Sequence, residues 1–293
     1  MTKKDGFFQS EFFHNFVRSP GAMAGLVVVL FFLLMAVFGP LFTPQNPYDI
    51  GTLDLMDAYK PPVWMEGGDP AFVLGTDEQG RDMLSAIVYG SRISLFISMI
   101  VVVLSCIFGT VLGLTAGYFG GRLDSFLMRI VDIQLSFPAM LVALFIMAAF
   151  GRGFGKLVAA LTIVGWVLYA RTVRSSVLVE KKKEYVDAAR LIGLSPFPII
   201  VRHVLPNVLT PLIVIATIQV GTVILTEATL SYLGVGVPVT RPSLGLLVKN
   251  GYDVLFSGLW WSSVFPGMFI MLLVFGINLL GDFIRDEFNP RLK

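Results

Sequence analysis

Six long stretches of the chain contain no Asp, Glu, Lys or Arg, and they constrain the fold more than any other feature. They are residues 21–42, 93–121, 133–151, 157–170, 208–226 and 254–281. A bilayer core about 30 Å thick requires roughly 20 helical residues, so all but the fourth run are long enough or nearly so. The fourth run suffices if Arg171 and Arg174, which share a helix face, reach the interface. The sequence therefore predicts six transmembrane helices and an all-α bundle.

The composition excludes a water-soluble domain. Of 293 residues, 55% are hydrophobic and only 14% are charged, whereas soluble domains have about 25% charged residues. The first apolar run is longer than that of a signal peptide and lacks a small-x-small cleavage site, so we expect it to remain as a membrane anchor. The single cysteine, Cys106, excludes an intramolecular disulfide.

The distribution of basic residues predicts the orientation. With six spans, both termini lie on one side, and if that side is cytoplasmic, 15 of the 22 basic residues lie in inner segments. The positive-inside rule favours this arrangement. We therefore expect a cytoplasmic segment 1–20 and a transmembrane domain 21–293, with an outer loop 43–92 and a cytoplasmic loop 179–207.

The outer loop divides into two predicted parts. Residues 44–73 contain five prolines and are expected to be irregular. Residues 76–90 are predicted to form a short amphipathic helix, with Thr76 and Gln79 as a capping box and Gly90 as its end.

The second span carries Gly109, Gly113 and Gly117 at intervals of four. This spacing allows a neighbouring helix backbone to approach closely, which would place the span inside a bundle. The alternative is that glycine is simply frequent in membrane helices.

The loop between the fourth and fifth spans is rich in helical signals. Residues 183–194 are predicted to form a helix with Val186, Ala189 and positions 191–192 on one side, ending at Gly193. Ala188 and Ala189 have small side chains, so another protein can approach that part of the helix.

A second short helix is predicted to start at Ser195 and Pro196, continue over 199–205 and end before Pro206. The two short helices would together form a compact protrusion, which suits docking of another protein. An amphipathic hairpin resting on lipid headgroups is equally compatible with the pattern.

The spacing within residues 184–207 resembles the EAA loop of the membrane subunits of bacterial binding-protein-dependent ABC importers. The matching residues are Asp187, Ala188, Ala189, Gly193, Leu205 and Pro206. Asp187 stands where the family usually has Glu, which keeps the charge. The resemblance implies that this loop is a coupling helix that sits in a groove on an ATP-hydrolysing subunit.

Other segments resemble the C-type permease of the dipeptide, oligopeptide and nickel branch of these importers, over nearly the whole chain. They are residues 75–82, 91–95, 227–234, 242–245, 278–282 and 285–291. Ala86 and Asn289 depart from the usual Arg and Asp.

The resemblance implies a type I importer permease in the bacterial inner membrane, forming half of a heterodimeric path with a second, homologous permease. The other implied partners are two ATPase subunits, which would bind ATP and magnesium, and an extracytoplasmic peptide-binding protein. The chain itself would hold no cofactor or metal and would contact lipid but no nucleic acid. Peptide is the implied cargo, with nickel, glutathione or another small solute as alternatives.

Three polar residues lie in or beside the predicted spans, and each has two interpretations. Asp132 and Glu227 either line a cavity that meets a peptide ammonium group or are paired structurally, Asp132 with Arg129. We prefer the structural interpretation for both. Asn278 is expected to form a hydrogen bond between helices.

No enzyme signature is present in the sequence. Gly155 and Lys156 imitate a phosphate loop, but the first glycine and the Ser/Thr of that motif are missing. We therefore predict no catalytic residue. A secondary carrier driven by an ion gradient is the second hypothesis, and it would transport without partner subunits, unlike an ABC permease.

Overall fold

The computed structural model describes residues 11–49, 51, 53–241 and 243–288, and Pro242 and residues 289–291 of the resembling segments lie outside these ranges. Within the described residues there is no β-sheet, and a single antiparallel bridge joins Thr76 to Asp82. The predicted all-α class is confirmed. The helices in chain order are α1 (Glu11–Arg18), α2 (Pro20–Phe38), α3 (Met83–Phe119), α4 (Gly121–Leu135), α5 (Ala139–Phe150), α6 (Phe154–Glu180), α7 (Glu184–Leu191), α8 (Pro196–Pro198), α9 (Leu205–Tyr232), α10 (Leu244–Asp253) and α11 (Trp261–Glu287).

Five helical stretches in the described chain are long and apolar enough to cross a membrane: α2, α3, α6, the stretch Pro196–Tyr232 that ends in α9, and α11. Helices α4 and α5 make a sixth if the pair, bent by 86°, is one span. The third predicted span is thus broken, not straight. Pro138 stands at the break, where it lacks an N–H group and disfavours helical backbone at the residue before it.

The fourth span, the shortest by its charge-free run, is a full-length helix. Helix α6 has 27 residues and continues through Arg171 and Arg174 to Glu180. The Arg174 guanidinium forms a two-pronged ion pair with Asp124 of α4, and its Nη2 atom lies 2.7 Å from Oδ2. The arginine is therefore accommodated by a partner within the bundle.

The glycines of the second span pack against α6, as predicted. A methyl group added at Gly109 would stand 2.5 Å from the Cβ atom of Tyr169, and one at Gly117 would stand 2.8 Å from that of Val177. Gly113, midway between them, is equally tight against α6. Because these separations are shorter than any real Cβ contact, only glycine permits this approach of the two helices.

The predicted helix over residues 76–90 is wrong in its start and its end. Helix α3 begins at Met83, and its N-cap is Asp82, whose Oδ2 accepts a hydrogen bond from the Ser85 amide at 2.8 Å. Thr76 lies in the preceding loop. Gly90 lies within α3 because an interior glycine costs only about 1 kcal/mol, which the packing of the surrounding apolar residues outweighs.

The loop before α3 is anchored by buried polar contacts. Arg81 is 1% exposed, and its Nε atom lies 2.6 Å from Oδ2 of Asp77. The Thr76 hydroxyl accepts a hydrogen bond from the Lys60 amide at 2.8 Å. The Trp261 indole donates to the Thr76 carbonyl at 3.3 Å, which ties the loop to α11. The irregular loop is therefore joined firmly to the bundle.

The connections fall on two faces of the bundle. One face, here called the terminal face, carries α1, the end of α11 and residues 181–204. There the Asn15 amide donates to Glu287 at 3.1 Å, which brings the two described chain ends together. The opposite face, called the loop face, carries residues 43–82 and 233–260. The Asn250 amide donates to Glu78 across it at 2.8 Å.

Candidate functional site

The segment 184–207 protrudes from the terminal face and begins with helix α7. This helix ends at Leu191, and Gly193 has a left-handed backbone with φ +82°. The Leu194 amide donates to the Ala189 carbonyl at 3.2 Å, and the Gly193 amide donates to the Arg190 carbonyl at 3.0 Å. This pair of hydrogen bonds is the Schellman motif, so Gly193 stops the helix as predicted.

One side of α7 is buried, but it is narrower than predicted. Val186 and Ala189 are 0% and 4% exposed and pack in a cluster with residues of α6, α9 and the turn between α7 and α9. Leu191 and Ile192, which were grouped with them, are 88% and 77% exposed. Position 191 follows position 189 by about 200° around a helix, so it faces away.

The exposed side of α7 combines a small residue, charge and apolar groups. Ala188 is exposed there, whereas Ala189 is buried, so only Ala188 provides a small side chain on the exposed side. Asp187 forms a surface ion pair with Arg190 at 3.0 Å. Phe197, just beyond the helix, is also exposed, at 74%.

The second predicted helix does not end before Pro206. Residues Ile199–Val204 form a wide π-helical turn, and α9 follows directly from it. The Leu205 amide donates to the Ile200 carbonyl five residues earlier. Pro206 is the second residue of α9 and follows this wide turn directly. The helix therefore continues from the protruding segment into the fifth span, with Leu205 half-buried and Pro206 exposed.

A hydrogen-bonded cluster ties α7 to both neighbouring spans. The Tyr185 hydroxyl donates to Oε1 of Glu180, the last residue of α6. The Asn207 amide of α9 donates to the Tyr185 oxygen at 3.2 Å and to the His203 carbonyl at 2.7 Å. Lys183 pairs with the same glutamate at 2.7 Å. Partial burial and the hydrogen bond to Glu180 raise the pKa of Tyr185 to about 12, so it remains a donor at neutral pH.

Sequence reasoning missed this cluster. Tyr185 and Asn207 are 22 positions apart, and no local pattern reports that a tyrosine at the start of one helix meets an amide at the start of another. The position of Glu180 at the very end of α6 was also hidden, because the charge-free run ends well before it.

Two cations, Arg190 of the segment and Lys181 just before it, contact the end of α3. The Lys181 Nζ atom donates to the Gly117 carbonyl at 2.6 Å, where helix-terminal carbonyls lack partners within the helix. The Arg190 guanidinium lies 5.7 Å from the ring centre of Tyr118. The segment therefore contacts α3, α6 and α9.

Glu227 lies in α9 and is fully buried. Its carboxylate accepts hydrogen bonds from Ser94 of α3 at 2.8 Å and from Ser231 at 2.7 Å. In the described part of the chain it forms no ion pair. These contacts favour a structural role that joins α3 to α9.

Asp132 and Asn278 are both exposed in the isolated chain. Asp132 lies in a shallow groove of α4 with Arg129 and Ser136, and among the described residues it forms no ion pair with Arg129. Asn278 contacts Gly221 of α9, where an added methyl group would lie 3.1 Å from its Oδ1 atom. Both side chains therefore remain available to a neighbouring subunit, lipid or solute.

Comparisons with known protein sequences agree with this arrangement of membrane helices. The family described as "Binding-protein-dependent transport system inner membrane component" matches residues 109–293. The description "N-terminal TM domain of oligopeptide transport permease C" matches residues 8–62. The dipeptide transport system permease protein DppC of Escherichia coli K12 is 43% identical over 97% of this chain and 93% of that protein. DppC of Haemophilus influenzae is 37% identical over 97% and 95%.

The fold is also that of a solved transporter. A chain of the inward-facing MetNI methionine ABC transporter covers 71% of this chain and 98% of its own length, with a TM-score of 0.57 and 21% identity. The predicted type I importer fold and the multi-pass location in the bacterial inner membrane are confirmed. The chain belongs to the family of binding-protein-dependent transport system inner membrane components, in the branch of dipeptide and oligopeptide permease subunits.

Proposed function

We propose that the chain is one permease subunit of an ATP-driven peptide importer and that residues 184–207 couple it to cytoplasmic ATPase subunits. A second, homologous permease completes the path, an extracytoplasmic binding protein delivers the peptide, and both termini are cytoplasmic. The observation that carries the coupling role is the combination of an exposed apolar surface on α7 with its firm attachment to α6 and α9. The names of the relatives support peptide as the cargo.

The exposed surface suits a groove on another protein. Leu191 at the end of α7, Ile192 beside it and Phe197 beyond Gly193 are all more than 70% exposed, so this part of the segment presents apolar side chains to its surroundings. Ala188 beside them allows a partner backbone to approach closely. Contacts of this kind are typical of an amphipathic helix held in an apolar groove.

The attachment suits the transmission of movement. Tyr185 contacts the end of α6 and the start of α9 through one hydroxyl group, so a displacement of α7 moves both spans. The π-helical turn Ile199–Val204 lies between α7 and α9, and such turns are frequent at functional sites. A short helix that moves as a rigid body converts closure of the ATPase pair into tilting of the spans.

Cross-linking tests the coupling role. In a Cys106→Ser background, Ala188→Cys is expected to form a cross-link with an ATPase subunit in the assembled transporter. Ser257→Cys, exposed on the loop face, is the matched control and is expected to form none. Absence of the Ala188 product in an assembled, active transporter would contradict the proposal and favour a hairpin resting on lipid headgroups.

Reconstitution separates the importer from a secondary carrier. We expect uptake of a dipeptide into liposomes only when the ATPase subunits, the second permease, the binding protein and ATP are all present. Uptake by the purified chain in an ion gradient would instead support a carrier. Uptake of nickel or glutathione, but not of a peptide, would assign another solute of the same branch.

The loop face is proposed as the contact for the binding protein, through residues 43–92 and 232–258. Leu55 and Met56 are 73% and 87% exposed there, close to acidic Asp54 and Asp57. Replacing Leu55 and Met56 by serine tests this contact without disturbing the buried start of α3. Unchanged capture of the binding protein by the Ser variant would count against it.

A further inference from the structure

A cavity of about 480 Å³ opens on the loop face, between the third and fourth turns of α3, the start of α6 and the turn at 237–241. Pockets for small molecules usually measure about 300–1,000 Å³. Its wall combines the cations Arg92 and Arg241 with Tyr48 and with the apolar side chains of Phe96, Phe154 and Val237.

Neither arginine of the cavity is neutralised. The ion pairs among the described residues involve neither Arg92 nor Arg241. Both guanidinium groups act electrostatically on the Tyr48 phenol, but its burial dominates and raises its pKa. Tyr48 therefore stays neutral, with its hydroxyl donating to the Tyr89 carbonyl at 3.2 Å. The cavity carries an excess of two positive charges.

The remaining wall is apolar and accessible. Phe96 and Phe154 stack with their ring centres 5.9 Å apart, and they are 59% and 37% exposed. Val237, which also lines the cavity, is buried. A ligand that fits this surface has an anionic group beside an apolar one.

We propose that Arg92 and Arg241 bind the C-terminal carboxylate of a short peptide on the loop face, while the Phe96–Phe154 wall contacts its neighbouring side chain. The identity of the ligand rests on the proposed function. Arginine forks bind carboxylates through paired hydrogen bonds. The terminal carboxylate is present in every peptide, whereas a smooth aromatic wall accepts side chains of different shape.

The position of the cavity favours a water-soluble ligand over a lipid headgroup. Arg241 belongs to the turn after α9, and Tyr48 belongs to the irregular loop before α3. Two walls are therefore formed by connections outside the spans. A solute released on the loop face would reach them directly.

Direct binding tests the proposal without the binding protein, which has its own affinity for peptides. The assembled transporter is placed in phosphatidylcholine nanodiscs without nucleotide, and binding of alanyl-phenylalanine is compared with that of its C-terminal amide. We expect the acid to bind at least about tenfold more tightly, because a hydrogen bond to a charged group is worth about 1.5–3 kcal/mol. In Arg92→Gln/Arg241→Gln the two ligands are expected to bind equally weakly.

Two variants control for folding and for general charge. Arg92→Lys/Arg241→Lys keeps both charges without the fork and is expected to retain part of the preference for the acid. Lys249→Gln removes a cation from the same face that already has Asp253 as a partner at 3.9 Å, and it should bind like the wild type. All variants are first checked for assembly with the other subunits.

The outcomes separate this site from the proposed function. Equal binding of acid and amide by the wild type, or a preference that survives in the Gln variant, overturns the site. Displacement of the acid by added phosphatidylglycerol, with loss of that lipid in the Gln variant, assigns the cavity to a headgroup and also overturns it. Absence of ATP-driven uptake alongside acid-selective binding contradicts the proposed function alone.

Discussion

Residues 184–207 and residues 43–82 both connect membrane helices, but they are stabilised in different ways. In the first segment, helix α7 buries only Val186 and Ala189 deeply and leaves an apolar end exposed. The second has almost no regular structure, yet it contains the buried Arg81–Asp77 ion pair and is bonded to α11. The comparison shows that an irregular loop can be part of the folded core, while a regular helix can lie on the surface and be fixed to the core by a few contacts.

The largest expected effect is a loss of stability caused by a substitution on the loop face. Arg81→Met leaves the Asp77 carboxylate buried without its partner, which is expected to lower the free energy of unfolding by about 3–5 kcal/mol. Thermal unfolding of the purified protein measures it. Lys60→Met, which removes a half-exposed cation paired with Asp57 and Asp69, is the control and should change the midpoint little. Equal midpoints for the two variants would show that the loop is not part of the core.

The second effect concerns the end of α7. Gly193→Pro forces φ from +82° to about −65° and disrupts the helix end, at a local cost of about 3 kcal/mol or more. We expect insertion to remain intact while peptide uptake per ATP hydrolysed falls at least about tenfold. Gly193→Asn, which tolerates the left-handed region, is the matched control. Wild-type uptake by the proline variant would refute the coupling role.

Adjacent alanines separate attachment from docking. Ala189→Leu overpacks the buried side of α7 and is expected to lower the free energy of unfolding by about 1–3 kcal/mol. Ala188→Leu makes the same change on the exposed side, so stability should change by less than about 0.5 kcal/mol. Its effect is expected on ATPase association instead, measured by co-purification. If Ala188→Leu assembles normally with the ATPase, the exposed side is not the docking surface.

The smallest expected effect tests the link between α7 and the spans. Tyr185→Phe keeps the ring but removes the hydroxyl that joins Glu180 and Asn207, and one such hydrogen bond is worth about 0.5–1.5 kcal/mol. We expect peptide uptake per ATP to fall about threefold, with ATPase association unchanged. Tyr169→Phe, which removes a hydroxyl of α6 that has no hydrogen-bond partner in the described part of the chain, is the control. An unchanged ratio would mean that the backbone alone transmits movement.

The comparison also shows where sequence reasoning succeeded. The glycine-ended helix was predicted at α7 because the Schellman signal is local, and the close packing of α3 was predicted because three glycines share one helix face. The predicted start of α3, at Thr76, is too early. Thr76 resembles an N-cap in the sequence, but its hydroxyl group forms hydrogen bonds within the loop instead. The charge-free run 157–170 is shorter than α6 itself. The helix continues beyond the run because Arg174 lies within it and pairs with a residue of another helix.

The sequence by itself determined the all-helical membrane class, five helices long and apolar enough to cross a bilayer, the position of the protruding helix and the family. These properties depend on hydrophobic length and on local backbone preferences, which the order of residues records directly. The tertiary structure alone decided that Tyr185 joins two spans, that Arg81 is buried, and that Arg92 and Arg241 face one cavity. Such pairings join residues far apart in the chain, and they exist only after the helices have packed.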